Sequence, residues 1–152
     1  MIRVVVNRQP IDIAAEMIAI EAGGAGAVAT FSGLVRADDG VGTLELEHYP
    51  GATDAALVTL AEQATIRWAL LAATIVHRVG VMRPGERIVF VGVSAPHRAA
   101  ALESCAFLID RLKTSAPFWK QEETEGETRW VEARGADHAA SARWDDGGPG
   151  RT

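Results

Sequence analysis

The sequence predicts an α+β domain with a mostly antiparallel sheet, and three observations carry that expectation. The run Ile88-Val89-Phe90-Val91-Gly92-Val93 is almost wholly apolar, as suits a central strand covered on both faces. The stretches 53–69 and 96–114 carry apolar residues at helical spacing. Strands and helices do not alternate as βαβ units would, which argues against a doubly wound sheet. At 152 residues and 48% hydrophobic content, the chain can bury one sizeable core.

Each element has a local reason. Residues 2–6 are Val-rich and read as a strand. Asp12 is placed to cap a helix over about 12–22, with Ile13, Met17 and Ile20 on one face, ended by Gly23-Gly24-Ala25-Gly26. Residues 27–35 read as a strand of small residues plus Phe31. After the turn signal Asp38-Asp39-Gly40, Thr43 to His48 alternates apolar and polar, so the two strands are expected to form a hairpin. Pro50-Gly51 breaks the chain. Thr53 is expected to cap the next helix, whose buried stripe is Leu57, Leu60, Ala61, Ala64 and Trp68. Strands over 72–79 and 87–94 flank the turn Arg83-Pro84-Gly85-Glu86. Pro96 suits the first turn of a helix to about 114, with Leu102, Cys105, Ala106, Ile109 and Leu112 as its apolar face. Two last strands cover about 118–124 and 128–133. From Gly135 a polar, small-residue tail is expected to be partly disordered, most of all over 145–152. The domain thus spans 1–134 and the tail 135–152.

Composition narrows the function. A net charge of −5 without a long basic run disfavours nucleic acid or an anionic membrane as the main partner. An anionic ligand would need a local basic pocket. No apolar run approaches a membrane span, and the first residues turn polar too soon for a signal peptide. The lone Cys105 excludes an intrachain disulfide framework and fits a reducing, cytoplasmic setting; its place on an apolar helix face marks it as core. One cysteine and four scattered histidines offer no metal-ligand spacing. Neither a P-loop nor a nucleophilic Ser elbow is present. No cofactor is expected.

The chemistry-bearing candidates are cationic. Lys113 and Lys120 flank Ala116-Pro117-Phe118-Trp119, where Pro117 fixes a torsion and the aromatics anchor the turn. Lysines so held would present partly shielded cations to an anion or an acyl group. The competing reading is a helix end with solvated lysines. His97 and Arg98 open a helix after a buried strand, where free N–H groups and the helix dipole favour phosphate or carboxylate, unless both simply face solvent. Arg36 closes the strand holding Gly33 and could fork onto an anion, although a strand-end Arg is often just solvated. His77, inside a strand, reads as structural, and His48 fits a strand end better than a ligand.

These residues lie within longer segments: Gly26-Ala27-Val28-Ala29-Thr30-Phe31-Ser32-Gly33 with Val35-Arg36, Leu46-Glu47-His48-Tyr49-Pro50-Gly51, Val76-His77-Arg78-Val79-Gly80, Val89-Phe90-Val91-Gly92-Val93, His97-Arg98, Leu112-Lys113-Thr114 to Lys120, and Arg129-Trp130-Val131-Glu132-Ala133-Arg134. In this order they resemble the MoaE family, the large subunits of molybdopterin synthase, over about residues 1–134. The resemblance implies an α/β hammerhead-type fold with three main helices and a homodimer. It also implies a small ubiquitin-like sulfur-carrier subunit bound at each end, making a heterotetramer. The carrier's C-terminal Gly-Gly thiocarboxylate would enter a pocket of this chain. The reaction implied is sulfur transfer to cyclic pyranopterin monophosphate, done twice, which builds molybdopterin.

By the same resemblance Lys113 and Lys120 are catalytic. Arg36, His97 and Arg98 bind the anionic substrate, some across the dimer interface, and Phe31 lines the pocket. Leu34 stands where the family often has Lys, so it is left out of the site. The competing function is a non-catalytic module that docks a ubiquitin-like tail.

Overall fold

The computed structural model describes residues 1–21, 23–36, 41–124, 127–130 and 135–145. Two four-stranded sheets organise the chain. In the first, β1 (Ile2–Asn7), β4 (Ala72–Arg78), β6 (Arg87–Ala95) and β2 (Ala27–Leu34) lie in that order. β1 runs parallel to β4 and the other pairs are antiparallel. The second sheet is antiparallel throughout, ordered β5 (Gly80–Met82), β3 (Val41–His48), β7 (Phe118–Thr124) and β8 (Glu127–Trp130). The α+β class and the mostly antiparallel pairing are as expected.

β6 is central, and residues 89–95 are buried, as its unbroken apolar run required. One face of the first sheet packs against α2 (Ala52–Trp68) and α3 (Arg98–Ser115), enclosing Leu57, Ala64, Ile75, Val91, Val93 and Leu108. The opposite face takes α1 (Ile13–Ile20) over Val76 and Phe90. Asp12 caps α1 as expected, its carboxylate accepting from the Ala15 N–H at 3.1 Å. All five residues of the expected α2 stripe are buried.

Five local expectations fail for physical reasons. β2 and β3 do not form a hairpin: β2 pairs along its length with β6, and β3 with β5 and β7. Alternation fixes which face of a strand is buried but not which strand it meets. The turn signal between them lies within 37–40, outside the described residues. Thr53 does not cap α2. Gly51, at φ 87°, is the N-cap, and Thr53 sits fully buried in the first turn. α3 begins at Arg98 with His97 as N-cap in extended backbone, so Pro96 lies just outside the helix. Leu102 is 64% exposed while Phe107 is buried, because α3 has a second covered flank. That flank is made by the fifth surprise, a helix α4 (Gly135–Ala142) inside the expected polar tail. After α4, Trp144 meets Phe107 edge-on at 5.8 Å and Trp68 at 5.7 Å, and its indole N–H donates to Asp110 at 2.7 Å. Arg67 lies 4.6 Å from the Trp68 ring and 5.3 Å from that of Trp144. Residues 131–134 and 146–152, which hold part of the expected last strand and the tail's end, lie outside the described residues.

One close backbone approach positions the start of α3. The Gly26 N–H donates to the Ala95 carbonyl at 3.0 Å, and a Cβ at Gly26 would stand 2.1 Å from the Pro96 carbonyl oxygen. No flexible side chain can yield there. Gly26→Ala should therefore destabilise by about 1–3 kcal/mol, lowering the melting temperature by roughly 2–4 °C for each kcal/mol. Thermal unfolding followed by circular dichroism checks this, and an unchanged midpoint would contradict it.

Candidate active site

Phe118 is the hub of the site. It opens β7, opposite His48 of β3, and packs against both the main core and the smaller cluster of Val35, Leu44, Leu46 and Met82. Its ring stacks on His77 of β4, centroids 4.2 Å apart and planes 27° from parallel. The turn before it is tied down by Thr53, whose hydroxyl donates to the Pro117 carbonyl at 2.6 Å and accepts from the Tyr49 N–H at 2.9 Å. The Ala116–Phe118 turn is thus anchored to the start of α2, which realises the stiffened segment expected between the two lysines.

Lys120 and Lys113 lie near this hub, and Arg36 follows Val35 of its smaller cluster. Lys120 lies in register opposite Leu46, two residues beyond Phe118. Lys113 occupies the last turn of α3, where the helix dipole favours a cation, and is close enough to His77 to act on it electrostatically. Lys120 is half-buried but Lys113 is exposed in the single chain, so the shielding expected of Lys113 is not supplied by its own fold. Arg36 follows Val35, whose N–H donates to Glu86 O at 2.9 Å and whose carbonyl accepts from the Gly85 N–H at 2.8 Å. The Glu86 carboxylate locks that turn. It accepts from the Arg83 N–H, which with Arg78 holds it below the usual carboxylate range. Phe31 projects from the edge strand β2, 37% exposed, its ring about the vacant side of Gly33. The space left by Gly33 is filled by Phe31 and Val89 of the same chain.

His97 and Arg98 do not join them. They sit at the opposite end of α3, Arg98 fifteen residues before Lys113 and therefore roughly 22 Å away along the helix, with His97 one residue further. Both are exposed, and His97 makes no side-chain cap.

His77 is buried beside the hub, as its reading as structural implies, and His48 ends β3 next to it. His77 is 5% exposed, and its Nδ1 lies 2.8 Å from the Arg78 carbonyl. Burial lowers its pKa to about 4, the bond to Arg78 raises it, and the neighbouring Lys113 and His48 lower it further. His48 Nδ1 is buried with no hydrogen-bond partner among the described residues. Nothing in the spacing of positions 48, 77 and 118 announces this cluster; β3–β7 register sets His48 opposite Phe118, and the meeting of the two sheets brings His77 of β4 to them. Cys105 is core, as expected, with burial pushing its thiol up to about 11.

Two outcomes follow from this geometry. Thr53→Val keeps volume but removes the partner of the part-buried Tyr49 N–H and Pro117 carbonyl, and should cost about 1–2 kcal/mol in denaturant unfolding. The acid response is set by His77. Unfolded, the imidazole takes up a proton near 6.5; folded, it does so only near 4. Between these values the unfolded chain binds more protons. This contribution is complete above 6.5 and is lost as pH falls towards 4, by up to about 3 kcal/mol. His77→Gln should flatten that slope in unfolding measured between pH 4 and 7.

Residues 6–115 match the profile of the family described as MoaE protein. The molybdopterin synthase catalytic subunit of Escherichia coli (strain K12) is 47% identical over 146 residues, covering 93% of this chain and 97% of that protein. The molybdopterin biosynthesis MoaE protein of Burkholderia ambifaria MC40-6 superposes with a TM-score of 0.83 at 46% identity, over 95% of this chain and 99% of the other. Molybdopterin synthase from Staphylococcus aureus superposes at 0.79 with 29% identity, over 84% and 95%. With the family profile matched over residues 6–115 and identity at this level across nearly the whole sequence, the chain belongs to the MoaE family.

Proposed function

We propose that this chain is the catalytic subunit of a molybdopterin synthase. It transfers sulfur twice, from the C-terminal thiocarboxylate of a small ubiquitin-like carrier subunit to cyclic pyranopterin monophosphate. The observation that supports this reading is that Lys120 stands two residues past Phe118 in β7, Lys113 ends α3 and Arg36 follows Val35 of the Phe118 cluster, in a chain of net charge −5.

The roles follow from charge. Arg36, with His97 and Arg98, holds the substrate's phosphate through charge-assisted hydrogen bonds. Phe31 lines the pocket. Sulfur attack displaces oxygen from the pterin side chain, so negative charge grows on the leaving oxygen and around the carrier's acyl carbon. The Lys113 and Lys120 ammonium groups stabilise that charge and exchange protons with it. The separation of His97 and Arg98 from Lys113 along α3 supports a homodimer in which each site draws the first two from one copy and the lysines from the other. One carrier at each end makes the heterotetramer. The lone, buried Cys105 supports a cytoplasmic setting.

Two measurements test this. Lys113→Ala and Lys120→Ala should each depress single-turnover formation of molybdopterin far more than carrier affinity. Parent rates in both would leave only a docking role for the tail pocket. Mixing Lys113→Ala chains with Arg98→Ala chains tests the shared site. Random re-pairing gives half hybrid dimers, each with one intact site, so activity should return to about a quarter of the parent level. No recovery after confirmed subunit exchange would place all the residues within one chain.

A further inference from the structure

The proposed reaction assigns nothing to the chain after α4, yet residues 141–145 grip α3 one turn before Lys113. Asp110 of α3 accepts from the Trp144 indole N–H and from Arg143, each at 2.7 Å. Arg111 donates to the Ser141 hydroxyl at 3.4 Å and pairs with Asp145 at 3.0 Å. The Trp144 ring stands edge-on to Phe107 of α3 and Trp68 of α2, and its carbonyl accepts from Arg67 at 3.3 Å. Phe107, Asp110 and Arg111 share one flank of α3 at helical spacing, so one short segment spans both helices. Lys113 follows Asp110 by three residues, about 4.5 Å along the axis. The end of α3 needs such a hold. α1 and α2 close with the C-cap N–H returned to a helix carbonyl, whereas Ala116 after α3 is in extended backbone. The last carbonyls of a helix have no donors within it, and such ends fray.

We propose that residues 141–145 are a clamp that sets where Lys113 stands, with Asp110 and Trp144 as its positioning residues. Leu112 holds the end of α3 from the core, and Thr53, through Pro117, holds the turn that follows. The clamp adds the third side by tying the flank of α3 to Arg67 and Trp68 of α2. Lys113 carries a long side chain, exposed on the last turn. On a fraying turn its ammonium would sweep a wide volume, and catalysis suffers when a charged group is displaced by even about an ångström. The contact is built to fix direction. Asp110 is only 16% exposed, and both donors meet the same Oδ2, which leaves its carboxylate little freedom to turn. The segment read from sequence as a polar tail thus becomes part of the scaffold of the site.

The inference rests on the synthase reading, so the experiment has one readout that depends on turnover and one that does not. The full chain with thiocarboxylated carrier is prepared as the parent, Trp144→Leu, Trp144→Phe, Asp110→Ala and Asp110→Asn. Asp110→Asn removes the charge but keeps an oxygen for the indole N–H, and Trp144→Phe keeps the ring contacts but loses that N–H. Amide hydrogen exchange over residues 108–116 is followed by mass spectrometry well below the melting temperature of each variant. It should quicken fivefold or more in Trp144→Leu and Asp110→Ala, with β6 unchanged, and stay within twofold of the parent in Asp110→Asn. Single-turnover formation of molybdopterin should fall fivefold or more in the first two, with carrier affinity within twofold, and recover in Asp110→Asn. Trp144→Phe should shift both readouts the same way by less, and keeps the test open if Trp144→Leu does not fold. Exchange that is unchanged over 108–116, or quickened equally throughout the chain, overturns the proposal. So does a local rise with parental turnover, or a loss in Asp110→Asn as large as in Asp110→Ala, which would mean that Asp110 acts through its charge. A local rise with no synthase activity in the parent would uphold the clamp on α3 and overturn the synthase reading instead.

Discussion

The stack of Phe118 on His77 joins the two sheets, since His77 belongs to β4 of the first and Phe118 to β7 of the second. Around it the chain arranges groups from distant positions. Leu46 and Lys120 are paired across β3 and β7, Val35 enters the same small cluster, and Lys113 arrives at the end of α3. An aromatic ring suits this junction because it offers two faces and an edge to different layers at little conformational cost. Phe118 spends one face on His77 and still packs against both apolar clusters. The Thr53 hydroxyl, by engaging Pro117, stops the turn from withdrawing that ring.

α3 sets the second constraint. It is held along its length, by Ala101, Cys105, Leu108 and Leu112 against the main core and by Phe107 against Trp68 and Trp144. Its C-terminal turns are also tied to the segment after α4: Asp110 receives Arg143 and the Trp144 indole, each at 2.7 Å, and Arg111 pairs with Asp145 at 3.0 Å. Exposed ion pairs of this kind contribute little singly, but here they flank an aromatic contact that is itself buried. A rod fixed at this many points cannot bend to bring Arg98 towards Lys113. The distance between them is a property of the packed core, and on the proposed reading a second copy bridges it.

Much of this was legible in the sequence where local chemistry decides the outcome. The apolar run of β6, the α2 stripe, the Asp12 cap and the core place of Cys105 each depend on neighbours within a few residues or on hydrophobicity alone. Legibility ended where a distant partner decides. The β2–β6 pairing, the short β5, the exposure of Leu102 and the burial of Phe107 depend on which surface arrives from elsewhere. Lys113, Lys120 and Arg36 could be picked out from their segments, whereas the burial of His77 and its stack on Phe118 could not, because the two residues come from different sheets.

The electrostatics of the hub follow one logic. On the proposed reading the site attracts anions in a chain of net charge −5, so its cations need positions that cost little to maintain. The last turn of α3 supplies one through its dipole, and the end of β2, fastened by Glu86 and Gly85, supplies another for Arg36. Placing a second charged group beside Lys113 would defeat this, by repulsion if cationic and by neutralisation if acidic. Burial solves the problem for His77. An imidazole that stays neutral until about pH 4 adds a fixed dipole and an acceptor but no charge across the range in which the lysines must work. The same burial that makes His77 a liability in acid makes it a constant neighbour at neutral pH, and the stability lost on acidification is the counterpart of that constancy.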